Sequence, residues 1–243
     1  MDTAAAVSAA SPIIFQLPPA WFFAPATRAK AEELGIKSFP FYMAGRSGVL
    51  GDVGVNTAIS ALGFFSPTMV TKMIGDATGS HSPSELGSVF VDCCLDWGRQ
   101  TFGSLEGAER AASLGRKLID SVQPCGHALF TAWRSVPVPA DGPAALALNL
   151  QTLRELRGDC HIHACGAVAL TPLEAILGRD GAERAKQFGW SEPYPDAEAL
   201  KAPRQQAEEL TDRQMQRVYE ALSADERAEF VGLLNEAKSA AGI

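Results

Sequence analysis

Residues Leu153–Leu177 read LRELRGDCHIHACGAVALTPLEAIL, and this stretch decides the fold. Apolar residues recur at helical spacing, and the breaks are those of helix ends rather than of hairpins. The expectation is three short helices: 142–157 stopped by Gly158, 160–167, and one opening at Pro172. Thr171 caps the last of these, proline sits at its first position where no N–H is needed, and Glu174 completes a capping box. The stretch also holds two of the four histidines and two of the five cysteines, so it is the expected wall of any working site.

The same punctuation runs outward from it. Ser66-Pro67 and Ser82-Pro83 repeat the cap-and-proline start, and Ser82/Glu85 and Ser223/Glu226 fit capping boxes. Gly35, Gly75, Gly158, Gly178 and Gly189 fall where helices should stop. Further helices are expected at 25–34, 52–64, 67–74, 83–102, 105–122, 126–134, 181–188, 197–222 and 224–238. No long run alternates with period two. The fold class is therefore all-α. A proline-rich joint, SVPVPADGP at 135–143, divides an N-terminal helical lobe (13–135) from a C-terminal lobe (136–243), and the Ala/Ser-rich residues 1–12 read as a disordered lead-in.

With 243 residues the chain can bury a substantial core. A net charge of −7 disfavours roles that rest on many phosphate contacts, which need clustered Lys and Arg. No apolar run reaches membrane-spanning length and no basic n-region precedes an apolar one, so neither a membrane partner nor a signal peptide is expected. The odd cysteine count without framework spacing points to reduced thiols and a cytoplasmic protein. The C-terminal stripes (Leu210, Met215, Val218, Leu222, Phe230, Leu233, Leu234) would pack on the body, or pair two copies as a homodimer.

Three groups of residues are candidates for chemistry. The string CHIHAC, 160–165, looks like a metal site, yet on a helix His161 and Cys165 share one face while Cys160 and His163 share another. Four ligands cannot converge from this helix alone; a two-ligand contribution completed by His127 or His81 is the alternative, but the spacing matches no zinc pattern and no metal is assigned. His161 alone remains a candidate proton carrier or ligand contact, against the blander reading of a histidine bonded to its neighbours. The second group is YMAGRSGVLG, 42–51. Its glycines could open a turn that presents N–H groups to an anion with Arg46 adding charge, or simply allow close helix contact. It matches neither a Walker loop nor a dinucleotide fingerprint, and no cofactor is expected. The third group is aromatic (Trp21, Phe22, Phe23, Phe39, Phe41, Tyr42, Phe64, Phe65): mostly core, with some lining any cavity. No G-x-S-x-G elbow is present, and the carboxylates look too scattered to nominate a pair.

Three blocks carry a resemblance to a known family. They are YMAGRSGVLG with the following FFSPTMV, the LRELRGDCHIHACGAVALTPLEAIL stretch, and FGWSEP followed by EELTDRQM. Together they resemble a large family of actinobacterial helix-turn-helix proteins, and the likeness spans most of the chain. It implies a degenerate helix-turn-helix or winged-helix-like C-terminal lobe, similar to regulators of the multiple-antibiotic-resistance type. It places the family's Arg and His at Arg46 and His161 without giving them a role. Two departures stand out. FGWSEPYPDAEALKAPRQQAEELTD leaves little room for a wing, and the candidate recognition helix, TPLEAIL at 171–177, offers Glu174 as its main polar group. Direct readout wants Arg, Lys, Asn or Gln at base edges.

Three functions follow from this reading. The first is a small-molecule-binding protein holding an apolar or aromatic ligand between its lobes, with Tyr42, Arg46, Phe64, Phe65, Arg154 and His161 as ligand contacts. The second is a cofactor-independent enzyme with His161 as general acid/base and Arg46 or Arg154 polarising the substrate. The third is a ligand-responsive DNA-binding regulator, which needs Arg179, Arg184 and Lys186 on one basic face; DNA is the least expected partner.

Overall fold

Asp2 accepts a hydrogen bond from the Ala5 amide at 2.8 Å and opens the first helix, α1, Thr3–Phe22. The computed structural model describes residues 1–243. Residues 3–12, expected to be disordered, form the first half of α1. The signal was present: Ala6, Ala10, Ile13, Leu17 and Trp21 follow helical spacing and are all buried. Pro12, Pro18 and Pro19 inside the helix obscured it, because proline removes a ladder N–H and is read as a breaker.

Eleven more helices follow: α2 Pro25–Glu33, α3 Ser38–Gly48, α4 Val55–Leu62, α5 Pro67–Ala77, α6 Pro83–Phe102, α7 Ala108–Asp120, α8 Ala128–Arg134, α9 Gly142–Ala167, α10 Pro172–Gln187, α11 Ala197–Tyr219 and α12 Ala224–Ala240. The protein is all-α, and the expected proline starts and capping boxes at Ser82, Thr171 and Ser223 are in place. Several readings change. YMAGRSG is not a turn but the second half of α3. Gly158 does not stop a helix, because α9 runs unbroken for 26 residues. A helix ends at glycine when the backbone turns left-handed there, as at Gly35 (φ 70) and Gly189 (φ 83); Gly158 keeps helical geometry. The break in α10 falls at Gly181 (φ 77), not at Gly178.

α9 is the axle of the fold and packs against α1, α6, α7, α8 and α11. Every residue from Ala144 to Leu156 except Arg154 is buried, which explains why no single amphipathic stripe marks it. The two-lobe division also changes. One apolar core of 50 buried residues runs from Ala6 to Ala237, so the joint at 135–143 does not separate two cores. The C-terminal stripes enter the same core: Met215, Val218, Leu222, Phe230 and Leu234 are buried within the chain. The apolar face proposed for a homodimer is therefore occupied intramolecularly. No single helix is long and apolar enough to cross a membrane.

α9 and α10 meet at 106° across residues 168–171. That angle and a connection of this length are those of a helix-turn-helix pair. Ala169 takes a left-handed conformation in the connection (φ 58). Nothing strand-like follows α10; residues 188–196 are turn and coil.

Candidate functional site

A cavity of about 610 Å³ lies between α1, α3, α9, α10 and the α4–α5 corner. That volume is typical of small-molecule sites. All six residues expected as ligand contacts, Tyr42, Arg46, Phe64, Phe65, Arg154 and His161, stand on its wall, together with Phe22, Phe23, Phe39 and Phe188. Phe65 and Phe188 stack face to face at 4.4 Å and 9°. The polar side comes from α9 and from α10, which adds Arg179, Asp180, Arg184 and Gln187; α9 carries six of the eleven buried polar side chains (Asn149, Gln151, Thr152, Glu155, Asp159, His161). Only the last three of those six reach the cavity, so the site belongs to the C-terminal half of that helix.

Arg46 is not a free cation, and its partner is a carboxylate rather than helix-end carbonyls. Its Nε donates to Glu155 Oε1 at 2.8 Å and its Nη2 to Oε2 at 2.7 Å, a bidentate pair. A third donor reaches the Tyr42 hydroxyl at 3.2 Å. Burial disfavours charge on both partners, and their attraction overcomes it. The guanidinium is held above its ordinary value and the carboxyl below. Gln151 adds a bond to Glu155 Oε1 at 2.5 Å. The glycines beside Arg46 serve packing instead of anion binding. A Cβ at Gly45 would fall 2.6 Å from the Phe90 ring, and one at Gly48 would meet the Pro83 carbonyl and, at 2.7 Å, the Gly87 nitrogen. α3 can approach α6 this closely only because both positions lack side chains.

Arg154, one position before Glu155, is treated differently. Its guanidinium sits 5.1 Å from the Phe22 ring and 5.6 Å from that of Phe15. Its one carboxylate contact is Glu155 Oε1 at 3.4 Å, an oxygen already shared by Arg46 and Gln151, and its buried Nε has no acceptor. Burial and the neighbouring Arg46 both push its pKa down.

His161 lies on the wall with its ring stacked on Phe64 at 5.6 Å. Its Nδ1 is 2.8 Å from the Thr211 hydroxyl, which itself donates to the Ala207 carbonyl. With the hydroxyl hydrogen directed at that carbonyl, Nδ1 is the protonated nitrogen. Nε2 then faces the Cys165 thiol at 3.6 Å, the shared face the sequence predicts. Burial, with Arg204 and Arg157 adding to it, lowers the His161 pKa to about 4. The 3.9 Å approach of Glu208 is thus not an ion pair at neutral pH. Glu208 is bound by Arg157 and Arg204 instead, and its pKa is lowered to about 2. The site favours the blander reading of this histidine: a neutral, fully bonded ring cannot act as a general acid near pH 7.

Asp159 joins the site although the sequence pattern does not nominate it. Its carboxylate accepts from the Phe130 amide at 3.1 Å and lines the cavity one helical turn from Glu155. Burial raises its pKa to about 7, with the Glu155 charge adding to the effect. A pair of carboxylates four residues apart was visible in LRELRGD; the helix stop placed at Gly158 hid it. His163, by contrast, turns away from the site and lies 5.1 Å from the His127 ring. No three His, Cys, Asp or Glu side chains converge as metal ligands.

The basic residues nominated for DNA are divided. Arg179 and Arg184, on α10, line the cavity, over Phe15 at 5.4 Å and over Phe188 at 4.7 Å. A family model described as a helix-turn-helix family matches residues 13–201, more than three-quarters of the chain. No curated protein and no solved structure matches it.

Proposed function

The chain belongs to this helix-turn-helix family, and on that scaffold we propose a small-molecule-binding protein that holds an apolar or aromatic ligand against α9. One observation carries the reading: the cavity of about 610 Å³ is walled by rings from α1, α3, the end of α10 and the α4–α5 corner, with most of its polar groups on α9 and α10. Apolar walls supply affinity and a few fixed polar points supply orientation. The helix in the position that would read DNA supports the same assignment. Ala175 and Ile176, from its first turns, and Arg179 and Arg184 further along all face the cavity. Glu174 is committed to Thr171 in the capping box. Few side chains are left there to reach base edges, where recognition helices place their N-terminal residues. We assign it no DNA partner.

Native mass spectrometry of protein purified from its own host tests the proposal. A retained small molecule that is lost on filling the cavity, as in Ala61→Trp, is the expected result. No retained mass, and no thermal shift with the host's metabolite extract, would overturn it.

A second reading, an enzyme working in the same cavity, is favoured by Asp159. With a pKa of about 7 it is half-protonated near neutrality and is suited to move a proton, a role that His161 does not fit. Its signature is a ligand returned chemically altered by the wild type and unaltered by Asp159→Asn, which should bind it equally well.

A further inference from the structure

The cavity wall carries six arginines against three carboxylates, Glu155, Asp159 and Asp180. The excess is not evenly spread. Arg46 consumes both oxygens of Glu155. Arg157 and Arg204 share Glu208, which lies just outside the cavity. Arg179 has Asp180 at 3.5 Å. Arg184, near the rim, donates to the Gln187 amide. Arg154 alone is both largely buried, with 15% of its side chain exposed, and left with a shared, long contact.

An unpaired buried cation is costly, and breaking a pair around one destabilises a protein by several kcal/mol. The rings of Phe15 and Phe22 offset part of that cost, because aromatic faces attract cations. They accept none of the fork's hydrogen bonds, which leaves it only the long contact to Glu155 Oε1, and its Nε has no acceptor. Arginine's fork matches a carboxylate with two parallel hydrogen bonds. Arg179, 5.4 Å from the Phe15 ring, adds positive potential on the same wall.

We propose that the ligand of this cavity is a carboxylic acid: an apolar or aromatic body lies among the phenylalanines, and its carboxylate is received by Arg154 between Phe15 and Phe22. This rests on the small-molecule reading above and names the class of ligand. A monoanion suits the site better than a phosphate. There is one free buried guanidinium, and Glu155 and Asp159 stand close by on the same helix, so a second negative charge would meet repulsion.

The test is calorimetric titration of the wild type, Arg154→Gln and Arg154→Lys with 2-naphthoic acid, 2-naphthamide and 2-naphthyl phosphate. The acid should bind the wild type about tenfold or more tighter than the amide, the range for a charge-assisted hydrogen bond. Arg154→Gln should bring the acid-to-amide ratio to about one, and Arg154→Lys should restore part of it. Because the readout is a ratio within one variant, a partial loss of folded protein does not mimic it. An amide that equals the acid, a preference that survives in Arg154→Gln, or a phosphate that binds more tightly than the acid would each overturn the proposal while leaving the cavity as a binding site. Binding of none of the three probes would remove the small-molecule reading as well.

Discussion

The two halves of α9 do opposite things with the same backbone. In its first half the helix is pressed against its neighbours. A Cβ added to Gly98 of α6 would fall 2.6 Å from the Ala147 Cβ and 2.7 Å from the Pro143 carbonyl, and one on Gly142 would strike the Glu109 backbone at 2.7 Å. In its second half, Gly158 and Gly166 have nothing within 4 Å of an added Cβ. Small residues close the first half into a dry seam, while arginines and phenylalanines hold the neighbours of the second half apart and leave a cavity. A close-packed interior tolerates almost no empty space by accident. An opening of this size beside a seam so tight is therefore a property of the side chains chosen, and it concentrates charge where the seam has none.

The largest effect should come from breaking the charged half. Glu155→Gln leaves Arg46 and Arg154 buried side by side without a carboxylate. Removing one partner of a buried pair costs about 3–5 kcal/mol, and we expect that loss in urea unfolding. If Glu155→Gln loses less than about 1 kcal/mol, water reaches the pair and the cavity is wetter than its walls imply. The dry half should respond next. Gly98→Ala forces a methyl against a carbonyl and a neighbouring Cβ, and overpacking of that kind costs about 1–3 kcal/mol. A neutral result would mean that α6 and α9 separate without penalty, and the contrast between the halves would vanish.

A third test uses pH, because two buried groups on the cavity side titrate in opposite senses. Asp159 holds its proton up to about pH 7, against an ordinary value of 3.8. Between these values the folded protein binds a proton that the unfolded chain has released, so this contribution to stability declines as pH rises from about 4 to 7. His161, with its pKa lowered from 6.5 to about 4, does the reverse. The unfolded chain takes up a proton that the folded one refuses, and stability declines as pH falls through that window. The two cancel in part in the wild type. The stability of Asp159→Asn relative to the wild type should therefore rise from pH 4 to 7, and that of His161→Gln should fall from pH 4 to 6.5. Each slope is at most about 1.4 kcal/mol per pH step of one. Equal slopes for both variants and the wild type in urea midpoints would show that neither group is buried as described.

The same contrast explains what could be read from the sequence. The helix class was legible because caps are local: Ser82, Thr171 and Ser223 announce their helices without reference to anything distant. The aromatic wall and the residues Tyr42, Arg46, Arg154 and His161 were legible as types. Their states were not, since pairing is a tertiary fact. Arg46 and Arg154 are the same residue type, and only the position of Glu155 makes one occupied and the other available. Asp159 was lost for a different reason. Taken as a stop, Gly158 puts the carboxylate beyond it on a different helix from Glu155. α1 was missed because its three prolines outweighed a stripe of small apolar residues.

Gly158 offers the smallest expected effect and the most direct check on that misreading. If it ended a helix, its backbone would be left-handed and alanine there would destabilise the protein. In the structure it continues α9 and an added Cβ meets open space. Gly158→Ala then removes only the conformational freedom of the unfolded chain, and stability should rise by about 0.5–1 kcal/mol. The sign alone decides between a broken and a continuous helix. It is opposite to that expected at Gly98, although the substitution is identical, because one methyl enters a closed seam and the other enters the cavity. A stabilised Gly158→Ala protein that also binds its ligand less tightly would place the bound molecule against this turn of α9, beside Arg154 and Glu155.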